Sequence, residues 1–450
     1  MDTIVAIATP PGRSAIGVIR LSGPQAVDIL RLLARDQHLT PDPNKVNLKQ
    51  IFLAGEPEPV DIALISFFKA PHSFTGEDLV EISCHGSPVV LRQLLDEALR
   101  LDARLAGPGE FSLRACRNGK MNLSQAEAIR DLINARTTAA AQQAQRQLKG
   151  ELSNRLQKCK DDLITVIVKL ESALEFVEDD LPELRATETL RQLSGVQTEI
   201  KKLAATFSTG HLLRDGLRVV LAGAPNAGKS SLFNRLLRYE RAIVTEVPGT
   251  TRDSLAENLS VRGMPVCLMD TAGVRESEDQ IETIGIERSE RAIADADMVV
   301  VVVDASSKFS IDDQRVLDQA QGINHVVALN KCDLETVAGI ENEVGPSPVV
   351  HVSAMTGDGI EELIEAMIEP FATLDSDGAG LMITDSRHYD LLRRTESSLE
   401  ESALLLKQGA SEEIVLVGLH SGLRFLGEIT GETTTEDILT QVFSTFCIGK

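Results

Sequence analysis

Gly223-Ala224-Pro225-Asn226-Ala227-Gly228-Lys229-Ser230 matches the phosphate-binding pattern G-x-x-x-x-G-K-[ST] at every position. Residues 217–222, an apolar run broken only by Arg218, precede it and predict a buried strand. Ser231-Leu232-Phe233-Asn234-Arg235-Leu236-Leu237 follows with the spacing of an amphipathic helix. Strand, glycine loop and helix in that order form a cradle for the phosphates of a nucleoside triphosphate. The glycines let successive N–H groups curl around the anion, and the helix N-terminus adds partial positive charge. Lys229 reaches the terminal phosphates and Ser230 is placed to ligate Mg²⁺.

Working outward, apolar segments at 217–222, 265–269, 298–303, 325–329 and 349–352 alternate with helical patterns. That alternation predicts a mostly parallel, doubly wound sheet, in which ligands sit at the carboxyl ends of the strands. The motifs fall there. Asp270-Thr271-Ala272-Gly273 is a D-x-x-G, placed to hold Mg²⁺ through water with Asp270 and to meet the terminal phosphate with the Gly273 N–H. In Asn330-Lys331-Cys332-Asp333 the Asp333 carboxylate can accept both donors on the edge of guanine, Asn330 can bind the opposite edge and Lys331 can lie over the ring. Adenine lacks that donor pair and would leave buried polar groups unpaired, so the expected nucleotide is GTP. Ser353-Ala354, with Met355 beside them, are expected to complete the base pocket through a backbone N–H.

At 450 residues and 43% hydrophobic composition the chain has room for about three domains with real cores. No apolar stretch approaches a membrane span and the start lacks a basic signal segment, so a cytoplasmic protein with no membrane contact is expected. Cys84, Cys116, Cys159, Cys267, Cys332 and Cys447 show no C-x-x-C spacing, which signals neither a disulfide framework nor a zinc site. A net charge of −22 repels polyanions, so a nucleic-acid substrate would need a basic patch or a partner protein for most phosphate contacts.

Residues 1–118 read as an α+β domain, with short apolar runs at 4–8, 16–21, 62–68 and 79–83 and a helical stretch at 88–101. From Leu123 the texture turns helical, and Ser124-Gln125-Ala126-Glu127 fits a capping box opening one long helix. Helical patterns return at 183–207, 389–407, 412–429 and 436–446. The expected organisation is a helical bundle, 119–213 and 372–450, with the nucleotide domain, 214–371, inserted into it; the alternative is separate helical domains, since periodicity alone does not say which helices meet.

Taken together, the sequence resembles the tRNA-modifying MnmE (TrmE) family, within the TrmE-Era-EngA-like, translation-factor-related GTPases. The residues that carry the resemblance are Pro10-Pro11-Gly12-Arg13, Ser73-Phe74-Thr75-Gly76-Glu77-Asp78, Gly107-Pro108-Gly109-Glu110-Phe111, Gln125-Ala126-Glu127-Ala128-Ile129, Gly249-Thr250-Thr251-Arg252-Asp253 and Cys447-Ile448-Gly449-Lys450. It implies a GTP site taking in Asn226, Ala227, Gly228, Lys229, Ser230, Ser231, Thr245, Glu246, Val247, Pro248, Gly249, Thr250, Thr251, Asp270, Thr271, Ala272 and Gly273 besides the base-reading residues. Thr251 resembles the switch threonine that joins Ser230 on Mg²⁺. Ras-like proteins place a glutamine after D-x-x-G; here that position is Val274, and the resemblance assigns the orientation of the attacking water to Glu282.

No intrinsic arginine finger is evident, and the family uses K⁺ in its place, held by Asn226 and the loop around Thr245, Val247 and Thr250. Pro248, where some members have alanine, departs from the pattern. The resemblance further implies a folate-binding, dimerising N-terminal domain in which Arg20, Glu81, Lys120 and Lys450 bind a formyl-tetrahydrofolate as one-carbon donor. Cys447 stands as a tentative catalytic residue beside them. It implies a homodimer that joins the FAD-dependent MnmG (GidA) in a two-plus-two assembly and modifies the wobble uridine of certain tRNAs at carbon five, adding an aminomethyl or carboxymethylaminomethyl group. The competing expectations are a regulatory or ribosome-assembly GTPase of the Era type, with no chemistry of its own, and a folate enzyme regulated by GTP without RNA.

Overall fold

Strands of alternating character build the N-terminal sheet. The structure, a computed structural model, describes residues 2–175, 182–239, 256–270, 290–371, 380–433 and 436–449. Strands β1 (Ile4–Ile7), β2 (Ile16–Ser22), β3 (Val46–Ile51), β4 (Asp61–Phe68), β5 (Leu79–His85) and β6 (Arg104–Leu105) form one sheet in the order β3-β4-β5-β2-β1-β6. Neighbours run antiparallel except β1 and β6. On one face Ile19, Leu21, Ala63, Ile65, Val80 and Ile82 are buried with Ile29, Leu30 and Leu33 of the helix Ala26–Leu33 and Leu91, Leu94 and Ala98 of the helix Pro88–Arg100. Side chains alternate along a strand, so Arg20 and Glu81 project from the opposite face. β3, β6 and the helices Ala26–Leu33 and Glu110–Arg117 have no counterpart in the sequence reading above.

A helix does begin at Leu123, but Ser124 is not its cap. Gln125 N–H donates to Asn122 Oδ1 at 3.0 Å, and Asn122 N–H donates to Gln125 Oε1 at 3.0 Å. The reciprocal box is therefore Asn122 with Gln125. The Ser124 hydroxyl serves it by donating to Asn122 Oδ1 at 2.9 Å. The expected long helix is three, Leu123–Asn134, Thr138–Leu148 and Glu151–Glu175. The last break falls at Gly150, whose φ of +83° a helix cannot continue through.

Farther along, the helix Glu151–Glu175 packs on Glu412–Thr430, and Pro182–Ala205 packs on Ser386–Lys407. Helices that precede the second sheet thus find their apolar partners among those that follow it. The chain divides into two compact units, one of Met1–Arg130, Gln147–Val177 and Ala410–Lys450, the other of Asp131–Arg146 and Glu178–Gly409.

The second unit contains the doubly wound sheet: β7 (Leu217–Ala222), β8 (Ala256–Val261), β9 (Met264–Asp270), β10 (Met298–Asp304), β11 (His325–Asn330) and β12 (Val349–His351), in the order β12-β11-β10-β7-β9-β8. All pairs are parallel except β8 with β9, an edge hairpin that sequence did not announce. Both faces are covered. Val300, Val302, Val219 and Leu221 enter one core and Val299, Val301, Val303 and Val220 the other, as the unbroken apolar run of β10 requires. β7, β9, β10 and β11 end at Ala222, Asp270, Asp304 and Asn330, and the described residues expected to bind the nucleotide gather at these carboxyl ends.

Candidate functional site

The phosphate loop leaves β7 and turns on two residues of positive φ, Asn226 at +64° and Gly228 at +95°. Asparagine tolerates that backbone. Gly228 must be glycine for a second reason, since a Cβ there would stand 2.2 Å from Asn330 Nδ2. The helix Lys229–Tyr239 starts where the loop ends. Lys229 is buried and its Nζ donates to the carbonyls of Gly223 and Ala224, both at 2.9 Å, so the ammonium is held against the loop's own backbone. The Ser230 hydroxyl donates to Asp270 Oδ2 at 2.8 Å. This pair of hard oxygen ligands is the donor type that Mg²⁺ prefers, and the residues present fit the ion the sequence calls for.

The residues expected to read the base are tied to the same loop. Asn330, buried at the end of β11, donates from Nδ2 to the Ala227 carbonyl at 2.9 Å and accepts at Oδ1 from the Ala354 N–H at 3.1 Å. Lys331, at φ +67°, donates to Asp304 Oδ2 at 2.6 Å. Burial raises the Asp304 carboxyl, but Lys331 and the Ser306 donors outweigh it and hold it below the usual carboxylate range. The Ser353 hydroxyl donates to Asp333 Oδ1 at 2.6 Å, which leaves the exposed carboxylate oriented with acceptor capacity free for a ligand. Arg235, which sequence reasoning did not single out, donates to the Ala354 carbonyl at 2.9 Å and also to that of Met355. It anchors the turn after β12 to the helix that starts at Lys229.

A second polar site lies on the open face of the N-terminal sheet. Arg20 on β2 stands directly across from Glu81 on β5. Its Nη2 lies 2.7 Å from Glu81 Oε1, and its Nη1 donates to the Gly449 carbonyl at 3.0 Å. The rings of Phe111 and Phe74 lie 5.7 and 6.0 Å from the guanidinium. Gly449 is buried at φ +96°, where a Cβ would meet the Ile7 carbonyl at 2.8 Å. The tail reaches that position by bridging Ile448 to Pro108, while Gly109 N–H donates to the Cys447 carbonyl at 3.3 Å. Beside it Arg114 is buried among carboxylates, 2.6 Å from Asp2, 3.0 Å from Glu110 and 3.1 Å from Glu77.

The sequence of the chain matches known proteins along its whole length. The family model for the GTP-binding protein TrmE N-terminus covers residues 3–120 and that for the MnmE helical domain covers 123–447. The tRNA modification GTPase MnmE of Koribacter versatilis is 43% identical over 455 residues, spanning 100% of this chain and 99% of that protein. Its counterpart from Aquifex aeolicus is 40% identical over 450 residues, spanning all of both. The chain belongs to the MnmE family of tRNA modification GTPases. Among solved structures, the G domain of the T. maritima FeoB iron transporter is 26% identical, covering 34% of this chain and 97% of that one, with a TM-score of 0.26.

Set against the residues expected for an MnmE-family GTPase, the structure brings together Asn226, Ala227, Gly228, Lys229, Ser230, Asp270, Asn330, Asp333, Ser353 and Ala354 at one edge of the second sheet. Thr245, Glu246, Val247, Pro248, Gly249, Thr250, Thr251, Thr271, Ala272, Gly273, Glu282 and Lys450 lie outside the described residues. Of the four residues expected to hold K⁺ only Asn226 is within them. On the N-terminal sheet Arg20 and Glu81 meet. Lys120 is exposed and engaged apart from them, donating to the Pro71 carbonyl at 2.8 Å. The loop that carries Phe74 and Gly76 is common to both, since a Cβ on Gly76 would touch Lys120 Cγ at 3.3 Å. Cys447 is exposed. Among the described residues no helix is long and apolar enough to cross a membrane.

Proposed function

We propose that this MnmE-family protein hydrolyses GTP and couples the hydrolysis to modification of the wobble uridine of certain tRNAs at carbon five. The observation that carries the reading is the hydrogen bond from Ser353 to Asp333 at 2.6 Å, beside an Asn330 that is bonded to the phosphate loop. An oriented carboxylate selects the N1–H and N2–H donors of guanine, and the loop meets the phosphates of that same nucleotide. Lys229 neutralises charge on the terminal phosphates, and Ser230 with Thr251 would hold Mg²⁺ near Asp270. Glu282 orients the water whose oxygen bonds to the γ-phosphorus as the bond to the bridging oxygen breaks and GDP leaves. Asn226 would offer a side-chain oxygen to K⁺, which when bound would supply positive charge to offset the negative charge developing on the phosphates.

The polar face of the N-terminal sheet supports a formyl-tetrahydrofolate site. A carboxylate such as Glu81 pairs with the donor edge of a pterin, and Arg20 and Lys120 suit the anionic glutamate tail. Val46 and Leu48 on β3 and Ile62 and Leu64 on β4 are exposed, with Leu48 directly across from Leu64. An apolar stripe on the outer face of a sheet supports a homodimer. The acidic balance fits an assembly in which an FAD-dependent partner of the MnmG (GidA) type contributes the flavin and much of the tRNA contact. Mass spectrometry of wobble nucleosides in a deletion strain tests the proposal. Loss of the carbon-five group, restored by the wild-type gene, is expected; unchanged nucleosides overturn it in favour of a switch of the Era type.

A further inference from the structure

The β8–β9 hairpin is held at its outer edge by a residue outside the nucleotide site. An edge strand presents unpaired backbone groups and is commonly covered by another element. Here Arg136, in the turn between the helices Leu123–Asn134 and Thr138–Leu148, donates from its guanidinium to Asn258 Oδ1 on β8. A second observation puts the same charge there. Burial pushes the Cys267 thiol up, and Arg136 and Arg218 pull it back. The register explains why these residues act together. Arg218 on β7 pairs with Cys267 on β9, which pairs with Asn258 on β8, so the three side chains stand in a row on one face and Arg136 closes it.

Residues 131–146 are themselves anchored. Asp131 lies 3.2 Å from Arg214 Nε, and Arg214 Nη1 donates to Asp385 at 2.8 Å. Gln143 donates to the Gly380 carbonyl at 3.1 Å and accepts from the Met382 N–H at 3.2 Å. Arg136 is thus mounted on a fixed support.

From Asn258 the ladder leads to the nucleotide site. Cys267 and Asp270 are three residues apart on β9, about 10 Å of strand. Asp270 accepts the Ser230 hydroxyl at 2.8 Å. A paired strand transmits displacement along its length, and a hydrogen bond is lost with a shift of a few tenths of an ångström beyond its range. We propose that Arg136 is a positioning residue for GTP turnover: it anchors the β8–β9 hairpin so that Asp270 keeps its place against Ser230, where Mg²⁺ is held. The inference rests on the GTPase reading above and names a support for that site.

The test uses the full chain with Arg136→Ala, Asn258→Ala, the double variant and Arg136→Lys. Binding of a fluorescent GDP analogue is measured with Mg²⁺ and with EDTA, GTP turnover is followed across Mg²⁺ concentrations, and Tm is recorded for each. Each alanine variant is expected to cut the Mg²⁺-dependent gain in GDP affinity about fivefold, the scale of one hydrogen bond, and to raise the half-saturating Mg²⁺ concentration to match. Affinity in EDTA and Tm should stay at wild-type values, the double variant should be no worse than either single one, and Arg136→Lys should recover part of the loss. Single variants with wild-type Mg²⁺ dependence, or effects that multiply in the double variant, overturn the inference. A wild-type chain that neither binds GDP nor hydrolyses GTP overturns the reading beneath it instead.

Discussion

The side-chain amide of Asn330 donates to the Ala227 carbonyl at 2.9 Å, bolting the end of β11 to a phosphate loop 103 residues earlier in the chain. On the proposed reading, Asn330 would set the distance between base and phosphates. Its replacement by alanine strands the Ala227 carbonyl and the Ala354 N–H in a buried place, at a cost of about 1–3 kcal/mol. Titration calorimetry of Asn330→Ala should show GDP affinity reduced about tenfold or more. Wild-type affinity would mean that the brace does not shape the site.

Asp333 presents only acceptors, whereas asparagine presents one donor and one acceptor. Xanthine carries a carbonyl where guanine carries its exocyclic amine, so Asp333→Asn should exchange specificity. Competition binding is expected to show GTP weakened about a hundredfold and XTP preferred, the scale of a mispaired buried polar edge. A variant that weakens both nucleotides equally would place Asp333 outside the base contact.

Turnover in K⁺ should exceed turnover in Na⁺ at equal ionic strength. Asn226→Gly retains the left-handed backbone at +64° and removes only the side-chain oxygen. In that variant the K⁺ advantage should vanish while GDP affinity holds. An advantage undiminished in Asn226→Gly would assign the cation to other ligands.

Asp385 caps the helix Ser386–Lys407 by accepting the Arg387 N–H at 2.8 Å and also binds Arg214. Burial raises its carboxyl, but the charges of His388 and Arg214 and the Arg387 N–H outweigh burial and hold it well below the usual range. A carboxyl depressed in the folded state stabilises it above the unfolded pKa, near 4, and stops doing so as pH falls through the folded value. Asp385→Asn should therefore lower Tm by about 4 °C at pH 7, corresponding to roughly 1–2 kcal/mol. Scanning calorimetry from about pH 5 down to pH 3 should find the gap closing. A gap that widens on acidification would reverse the sign of the linkage.

Glu81→Gln keeps the shape of the side chain and discards its charge beside Arg20. Binding of a reduced folate should weaken about tenfold, the scale of a charge-assisted pair, with GTP turnover unchanged in isolated protein. Fluorescence titration reads the first and phosphate release the second. Equal folate affinity in both proteins would remove Glu81 from that pocket.

What could be read in advance follows from where each interaction lies along the chain. β10 was legible because five consecutive valines admit little but a strand buried on both faces. β3 was not, since Val46 and Leu48 point outward and Lys49 and Gln50 interrupt any apolar run. β8 is an edge strand with Glu257 and Ser260 in it, and its identity comes from pairing with β9. At the Leu123 helix the pattern S-x-x-E was real as text, but Asn122 sits one turn position better and takes the cap. The candidate phosphate loop and the residues proposed to read guanine were legible as local motifs. The bonds among them, Asn330 to Ala227, Ser353 to Asp333 and Arg235 to Ala354, were not, because each joins segments brought together only by the sheet.

The hold of Arg20 on the Gly449 carbonyl spans 429 residues. During synthesis the N-terminal sheet can pair its strands long before that carbonyl leaves the ribosome, so the nascent sheet exists for a long interval without the contact that Arg20 makes to it. Vectorial emergence of the polypeptide therefore leaves Arg20 without this partner until the chain has grown by a further 429 residues.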